Sequence, residues 1–580
     1  MRLPLAASLA GYDRGAFADD LIAGTITALL LVPQALAYAL LAGLPAQVGL
    51  YASMLPPVIY ALLGSSRTLA VGPVAVAAVM VAAALGPYAG GDPARYLAGA
   101  TILAAEVGLL LALLGALRLG ALTSFISHPV LTGFTAAAAL VIIASQLGPL
   151  TGIALAGHGL LAHAASLLGG IGRLHLPTLL LSLAAIALLL LARGPLVHGL
   201  MTLGCPARQA QILSRLGPLA VMAAALAAMA LAGPQHAGIA VLGTVPNGLP
   251  RPTLGFLDPT GWRALAPSAV LIALVGYVES VSVAKTLAAR RRERIDPDQE
   301  LLALGGANLA SALSGAMPVA GGFSRSVVNF DAGARTQLAA IVTAVLVALI
   351  ALLAGDALAL LPRAALAAVI VVSVAQLIDP AHMREIWRFD RADGSAMLAT
   401  FGGVLLLGIE QGLLLGVVVA LALYLHRTSR PHIAIVGRIP GTEHFRNVDR
   451  ERVQTQPGCM AIRIDENLYF GNVGPVQDFI LGAIADAPDC HDLVLIMSAV
   501  NHVDSSGLEL LEQLRADLAG AGVGLHLTEV KGPVMDRLRH STLLRGGGHP
   551  PCPVHRSTHD ALRALAGSPP APPRTLEKTG

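Results

Sequence analysis

Two interrupted stretches carry the residues of this chain best suited to chemistry. The first is Leu69-Ala-Val-Gly-Pro-Val-Ala-Val76, and the second is Met317-Pro-Val-Ala-Gly-Gly-Phe-Ser-Arg-Ser326. In each, Gly or Pro breaks an apolar run and helix-competent residues follow, so each reads as a helix that starts partway through a hydrophobic layer. Gly72-Pro73 ends an extended approach, and Pro73 suits the first position of a helix. The first turn of a helix has free backbone N–H groups and about half a positive charge, which together bind anions without a metal. Two such ends facing one another make an anion pocket, and Arg325 adds a full charge. The alternative is a pair of ordinary loop turns.

Other polar residues lie in apolar surroundings. Glu279, in Val275-Gly-Tyr-Val-Glu-Ser-Val-Ser-Val-Ala-Lys285, falls inside a long apolar run. A carboxylate there costs about 2.5–3.5 kcal/mol on membrane-insertion scales, so its presence points to proton or cation coupling. The plainer reading pairs it with Lys285 or Arg325. Ser280 and Ser282 read as polar helix contacts. Gln34 follows Val32-Pro33, and Tyr38 stands four residues further on the same helix face. An amide and a phenol there can hydrogen-bond an anion, or simply help helices pack. Glu106 and Glu410 are further intramembrane carboxylates, the second at a turn.

The elements that must position these residues follow from composition. The chain has 580 residues, 55% hydrophobic and only 13% charged, whereas soluble domains carry about 25% charged residues. Apolar runs near the length needed to span a bilayer recur. They start near Phe17, Ala46, Val74, Tyr96, Phe125, Leu176, Leu216, Pro267, Glu300, Ser324, Leu338, Arg363, Gly394 and Gln411, which makes about fourteen transmembrane segments. The two interrupted stretches open the third span of each set of seven. Matched breaks of this kind point to a site between inverted repeats.

Arginines set the orientation. Arg14, Arg67, Arg118, Arg193, Arg208, Arg215, Arg290, Arg291, Arg292, Arg294, Arg384, Arg388, Arg391, Arg427 and Arg430 fall on the side of the N-terminus. Fewer fall opposite: Arg95, Arg173, Arg251, Arg263 and Arg363. The positive-inside rule then makes both termini cytoplasmic, and no signal-peptide pattern precedes the first span. The net charge of +3 gives no basis for nucleic-acid binding.

After Arg430 the composition changes. β-like runs at Met460–Ile464, Leu493–Met497 and Gly524–Thr528 alternate with helix-like stretches at Pro475–Ala485 and Ser505–Leu518, the pattern of a small α/β domain. The resulting division is a membrane domain over 1–430, a soluble domain over 431–565 and a Pro-rich disordered tail over 566–580. The four cysteines form no paired framework and read as free cytosolic thiols. His158, His163 and His175 are too loosely spaced for a metal site. No nucleotide-phosphate loop appears, so enzymatic activity has no sequence support.

Several blocks together resemble the sulfate permease (SulP) family of anion transporters. They are Pro33-Gln34-Ala-Leu-Ala-Tyr38, Ala42-Gly-Leu-Pro-Ala-Gln-Val-Gly-Leu-Tyr51, Gly64-Ser-Ser-Arg-Thr-Leu-Ala-Val-Gly-Pro-Val-Ala75, and Asn308 through Gln337 with Phe323-Ser-Arg-Ser326 and Gly333-Ala-Arg-Thr-Gln337. They fall in order along nearly the whole chain. The resemblance implies a polytopic α-helical membrane protein with 7+7 inverted transmembrane segments, core and gate domains, and elevator-like movement. It implies an anion held by Pro73, Val74 and Ala75 and by Phe323, Ser324 and Arg325, with Gln34 and Tyr38 contributing and Glu279 at the coupling position.

A Glu at that coupling position, rather than an Asp, looks more like proton-coupled or uncoupled members than sodium-coupled ones. No other cofactor is implied, and members are commonly homodimers. The C-terminal region is similar to the STAS domain through Val503-Asp-Ser-Ser-Gly507. In soluble relatives the second serine is phosphorylated, which here is Ser506, while Asp504 or Ser505 also suits helix capping. A cytoplasmic protein or nucleotide partner at this loop is the regulatory expectation.

The function expected is secondary transport of an inorganic anion across the inner (plasma) membrane, sulfate with protons first. Bicarbonate, chloride, nitrate or dicarboxylate are alternatives, because backbone N–H groups read charge and size rather than identity. An anion channel and a membrane sensor signalling through the soluble domain are readings of a different class.

Overall fold

The computed structural model describes residues 4–9, 12–121, 127–155, 160–232, 238–243, 248–546 and 550–566. The chain divides into two compact units, Met1–Ala420 and Leu421–Gly580. The tail expected over 566–580 lies, after its first residue, outside the described residues.

The first unit is almost wholly helical, as a mean hydropathy of +0.70 demands of a chain whose backbone polar groups must be satisfied within lipid. Among the described residues, eight helical segments are long and apolar enough to cross a bilayer. They include Arg14–Leu41, Pro93–Ala116, His128–Thr151, Pro259–Arg291 and Ile409–Ser429. Shorter apolar helices, among them Ala75–Ala89 and Leu338–Leu353, lie between them.

Small residues let these helices pack backbone to backbone. A Cβ on Gly108 would stand 2.7 Å from the backbone nitrogen of Leu309, and one on Gly305 would stand 2.7 Å from that of Ala112. Pro93–Ala116 and Pro297–Leu313 therefore cross at a point where neither tolerates a side chain.

Two helices break the pattern of full spans. Ala75–Ala89 has 15 residues and Phe323–Ala332 has 10. At about 1.5 Å per residue each is too short for a hydrocarbon layer of about 30 Å. Each is entered through a two-residue strand, β1 (Val71–Gly72) and β2 (Ala320–Gly321). The strands pair antiparallel, Val71 opposite Gly321 and Gly72 opposite Ala320. A backbone ladder inside a helical bundle satisfies the polar groups of extended chain where no water reaches them.

The second unit contains a six-stranded sheet. Its strands are β3 (Ile433–Arg438), β4 (Phe445–Asn447), β5 (Cys459–Ile464), β6 (Asp492–Ile496), β7 (Gly524–Thr528) and β8 (Val554–His555), in the order β4-β3-β5-β6-β7-β8. From β5 to β8 the neighbours run parallel, and β3 is antiparallel to both β4 and β5. One face packs Ile462, Ile464, Leu493, Leu495 and Leu527 against Leu511 and Leu514 of the helix Ser505–Gly520. The other packs Ala434, Val436, Val494 and Ile496 against Ala561 of the helix Thr558–Ala566. Burial on both faces explains why β6 reads as a continuous apolar run rather than an alternating one.

Candidate functional site

The two short helices begin at a shared crossing. Val74 is the N-cap of Ala75–Ala89, with extended backbone, and Gly322 is the N-cap of Phe323–Ala332. Neither helix start receives a side-chain cap. The first helical bonds are Ala78 N–H to the Val74 carbonyl and Ser326 N–H to the Gly322 carbonyl, both 3.0 Å. The N–H groups of Ala75, Val76 and Ala77, and of Phe323, Ser324 and Arg325, precede those bonds and have no partner within their own helices. One expectation needs correction: Pro73 does not open the helix. It precedes the Val74 cap, in the short link between β1, which ends at Gly72, and the helix. Its carbonyl has another use.

That carbonyl accepts a 2.6 Å bond from Nη1 of Arg325. Arg325 is 2% exposed, and its Nε and Nη2 have no hydrogen-bond partner among the described residues. Its guanidinium folds back over the entries to both short helices. A Cβ on Gly322 would meet Nη2 at 2.8 Å, and one on Gly72 would meet it at 3.4 Å. A buried guanidinium with two idle nitrogens needs a partner, and it stands where the two uncapped helix ends converge. Phe323 is 56% exposed and Ser324 is exposed, while Val74 and Ala75 are buried.

Side chains bind the crossing together. Ser326 Oγ accepts the Ala70 N–H at 2.9 Å and donates to the Gly322 carbonyl at 2.7 Å. Gly322 N–H donates to the Ala70 carbonyl at 3.0 Å. Asn308 forms a two-way bond with the backbone of Val319, 2.9 Å each way, and Asn329 Nδ2 donates to the Thr68 carbonyl at 3.1 Å. Ser280 Oγ accepts Gly321 N–H at 2.8 Å, which ties the helix Pro259–Arg291 to β2 rather than to another helix, as had been expected of this serine. Ser282 is exposed and makes no such contact.

Glu279, the neighbour of Ser280, is thereby brought to the crossing. It is half-buried and makes no hydrogen bond with any described residue, and Lys285 is exposed with no ion pair to it. Glu279, Tyr38 and Arg325 lie close enough to interact electrostatically. Tyr38 and Gln34 are buried on the helix Arg14–Leu41, whose Leu31 packs beside Gly72. Their polar ends bond no described residue. Of the positions singled out in the sequence, the structure gathers Pro73, Val74, Ala75, Phe323, Ser324, Arg325, Tyr38 and Glu279. Gln34 shares the helix face of Tyr38.

Glu106 and Glu410 lie outside this gathering. Both are on other helices, and each has one carboxyl oxygen buried without a partner. His163 lies on the helix Leu160–Gly169 and His175 is the N-cap of Leu176–Arg193. His158 is outside the described residues. Ser326, Asn308 and Asn329 were missed as individual site residues, although the block from Asn308 to Gln337 had been marked. Ser326 and Asn329 lie within four residues of Arg325, which is a signal for them, whereas Asn308, 17 residues away, has none beyond that block.

In the soluble unit Asp504 and Ser506 sit at the start of Ser505–Gly520. Asp504 is the N-cap, its Oδ1 accepting Gly507 N–H at 2.8 Å and its Oδ2 accepting Phe470 N–H at 3.0 Å. Partial burial pushes its carboxyl up, but the backbone donors of Gly507, Phe470 and Ser506 more than offset this and hold it below the usual carboxylate range. Ser506 is half-buried in the first turn. All four cysteines are free. Burial pushes the thiols of Cys459 and Cys552 up to about 12, so neither has thiolate character near neutrality.

A crossing of two broken helices inside a bundle of apolar spans, followed by a soluble α/β domain, defines a multi-pass membrane protein with a site at mid-fold. The chain belongs to the sulfate permease family, which it matches over residues 17–400, and residues 451–561 match the STAS domain. It is 35% identical over 535 residues to a probable sulfate transporter of Mycobacterium tuberculosis, covering 92% of this chain and 93% of that one. It is 34% identical over 546 residues to the chloroplastic sulfate transporter 4.1 of Arabidopsis thaliana, covering 92% and 77%.

Among solved structures, the fold matches that of the murine solute carrier 26 family member A9 anion transporter in its inward-facing state. The TM-score is 0.90 at 23% identity over 98% of this chain and 94% of that one. The transmembrane domain of a cyanobacterial bicarbonate transporter, BicA, matches with a TM-score of 0.59 at 21% identity over 71% and 98%.

Proposed function

We propose that this protein is a secondary active transporter of small inorganic anions, with sulfate the first substrate and protons the coupling ion. The observation that carries the reading is the pair of uncapped helix ends converging beside a buried guanidinium with two idle nitrogens. Six backbone N–H groups, two helix-end partial charges and one full positive charge surround a single place. An oxyanion there accepts from amides contributed by Ala75–Ala77 and Phe323–Arg325, and from Arg325 Nε and Nη2. Tyr38 and Gln34 complete the shell from the helix Arg14–Leu41. The names of the relatives favour sulfate within the class.

Glu279 faces the same place, so a proton on its carboxyl and an anion beside Arg325 enter one electrostatic system. The proton relieves the repulsion between the carboxylate and the anion, and this links the two ions in symport. Alternating access then moves the block that carries both short helices, elevator-fashion, against the remaining helices. The two sets of seven spans are inverted repeats, and both termini are cytoplasmic in the inner (plasma) membrane. The transporter works as a homodimer, with the STAS domain receiving a cytoplasmic protein or nucleotide near Asp504 and Ser506.

Uptake of labelled sulfate into proteoliposomes under an imposed inward proton gradient tests the reading. Saturable uptake driven by the gradient, and made indifferent to it by Glu279→Gln, is the expected result. Currents without saturation would make the protein a channel, binding without flux would make it a sensor, and gradient-insensitive wild-type uptake would remove the proton. A panel of bicarbonate, chloride, nitrate and dicarboxylate competitors in the same assay ranks the anions.

A further inference from the structure

The chain reaches Ala75 through residues 64–70, and side chains distant in sequence hold that approach from outside. Glu300, in the first turns of Pro297–Leu313, is fully buried. Its Oε1 accepts the backbone N–H of Ser65 at 2.8 Å, that of Ser66 at 3.0 Å and the Ser65 hydroxyl at 2.8 Å. Its Oε2 accepts the Tyr60 hydroxyl at 2.8 Å. Among the described residues, no lysine or arginine forms an ion pair with it.

A buried carboxyl with no cation persists only when its lone pairs are filled, and here four neutral donors and the positive end of its own helix fill them. Every donor belongs to the turn that launches β1 or to the helix Leu55–Leu63 just before it. The same turn is held by Gln337, whose Nε2 donates to the carbonyls of Gly64 and Ser66. Asn329 and Ser326 continue the clamp to Thr68 and Ala70.

We infer that Glu300 is a positioning residue for anion binding. By fixing the turn at Ser65–Ser66 it sets the register of β1 against β2, and so the aim of the Ala75–Ala77 N–H groups at the anion. The inference rests on the function proposed above. A role in fold stability alone would lower yield and melting temperature and leave affinity unchanged. A positioning role changes KM and the choice among anions.

The three bonds that order the turn all reach Oε1, so Glu300→Gln can keep them, with its amide donating to the Tyr60 oxygen in place of the reverse bond. Glu300→Ala leaves all four donors without their acceptor.

The test is the concentration dependence of sulfate uptake, with chloride competition, for the full-length protein in proteoliposomes, with melting temperatures measured alongside. Glu300→Gln is expected within about twofold of wild type, and Glu300→Ala to raise KM about tenfold with a smaller change in maximal rate. Ser65→Ala and Tyr60→Phe remove one donor each and are expected to raise KM about two- to threefold, with a fall in melting temperature smaller than that of Glu300→Ala. They decide the matter if Glu300→Ala does not fold.

Unchanged KM in Glu300→Ala, or in both single-donor variants where that protein fails to fold, overturns the inference. So does a Gln variant as damaged as the Ala variant. Wild-type protein that takes up no anion overturns the proposed function itself, whereas wild-type uptake with unshifted variants overturns the positioning role alone.

Discussion

Three helix starts in this protein were candidates for holding an anion, and they differ in what already occupies them. The two at the membrane crossing, at Ala75 and Phe323, have no side-chain cap. The one in the soluble domain, at Ser505, is capped by the carboxylate of Asp504. A helix start whose N–H groups are bonded to an internal carboxylate is satisfied and electrostatically neutralised. One left uncapped beside a cation keeps its N–H groups and its positive end available to an anion.

The two membrane ends also differ from each other. Ala75–Ala89 offers only backbone in its first turn, where every residue is Ala or Val. Phe323–Ala332 brings Arg325, Ser326 and Asn329, the charge and the clamps. One helix end supplies geometry, and the other supplies geometry and the groups that hold both together.

The sharpest way to break this contrast is at Arg325. Arg325→Ala is expected to lower sulfate uptake by about a hundredfold or more, since it removes the full charge from a site of low dielectric. Arg325→Lys, a point charge without the fork that reaches Pro73 and an anion together, recovers only part. Uptake in Arg325→Ala close to wild type would put the burden on backbone alone.

Next come the two glycines that flank the guanidinium. Gly322→Ala drives a methyl into Arg325 and is expected to raise KM about tenfold. Gly72→Ala meets it at an ordinary contact distance and stays within about twofold. Equal effects in the same uptake assay would mean that the guanidinium is not held as described.

Ser326→Ala leaves the buried Ala70 N–H unpaired and is expected to destabilise the protein by about 1–3 kcal/mol, read as a lower melting temperature of the full chain in detergent.

The smallest effect concerns the capped end. Asp504→Asn keeps an oxygen at the cap but gives up the carboxylate, at about 1 kcal/mol or less of soluble-domain stability. Because the folded carboxyl is held below its unfolded value, its contribution is full above the unfolded value and is lost as pH falls through the folded one. The gap between variant and wild type is therefore flat from pH 8 down to the usual carboxylate range and closes only in stronger acid. A gap that closes already near pH 6 would place the titration elsewhere.

Much of this was legible in the sequence, for physical reasons that also mark where legibility ended. The runs beginning near Phe17, Tyr96 and Pro267 lie on long helices because lipid admits nothing else. The broken segments were visible because Gly72-Pro73 and Gly321-Gly322 interrupt apolar chain in which any interruption requires a reason.

The strand pairing between those breaks was not visible: Val71 and Gly321 are 250 residues apart, and two residues carry no periodicity. β3, Ile433–Arg438, was not singled out: it is a six-residue run broken by a glycine near its end, and its partners β4 and β5 are set by pairing rather than by local pattern. Glu300 appeared only as the start of a span, since its partners, two backbone N–H groups and two hydroxyls, lie more than 230 residues away, and spacing rules see only near neighbours. The expectation for Pro73 failed by two residues, because Pro73 and the Val74 cap link the end of β1 at Gly72 to a helix that begins at Ala75.

The central claim is that an oxyanion sits between the two uncapped helix ends against Arg325. Diffraction from the full-length protein bound to selenate, recorded at the selenium edge, locates that anion directly. A single selenium peak within hydrogen-bonding reach of the Ala75–Ala77 and Phe323–Arg325 amides and the idle guanidinium nitrogens is the predicted result. A peak anywhere else in the membrane unit, or amides and guanidinium bonded to the protein in its place, would contradict it.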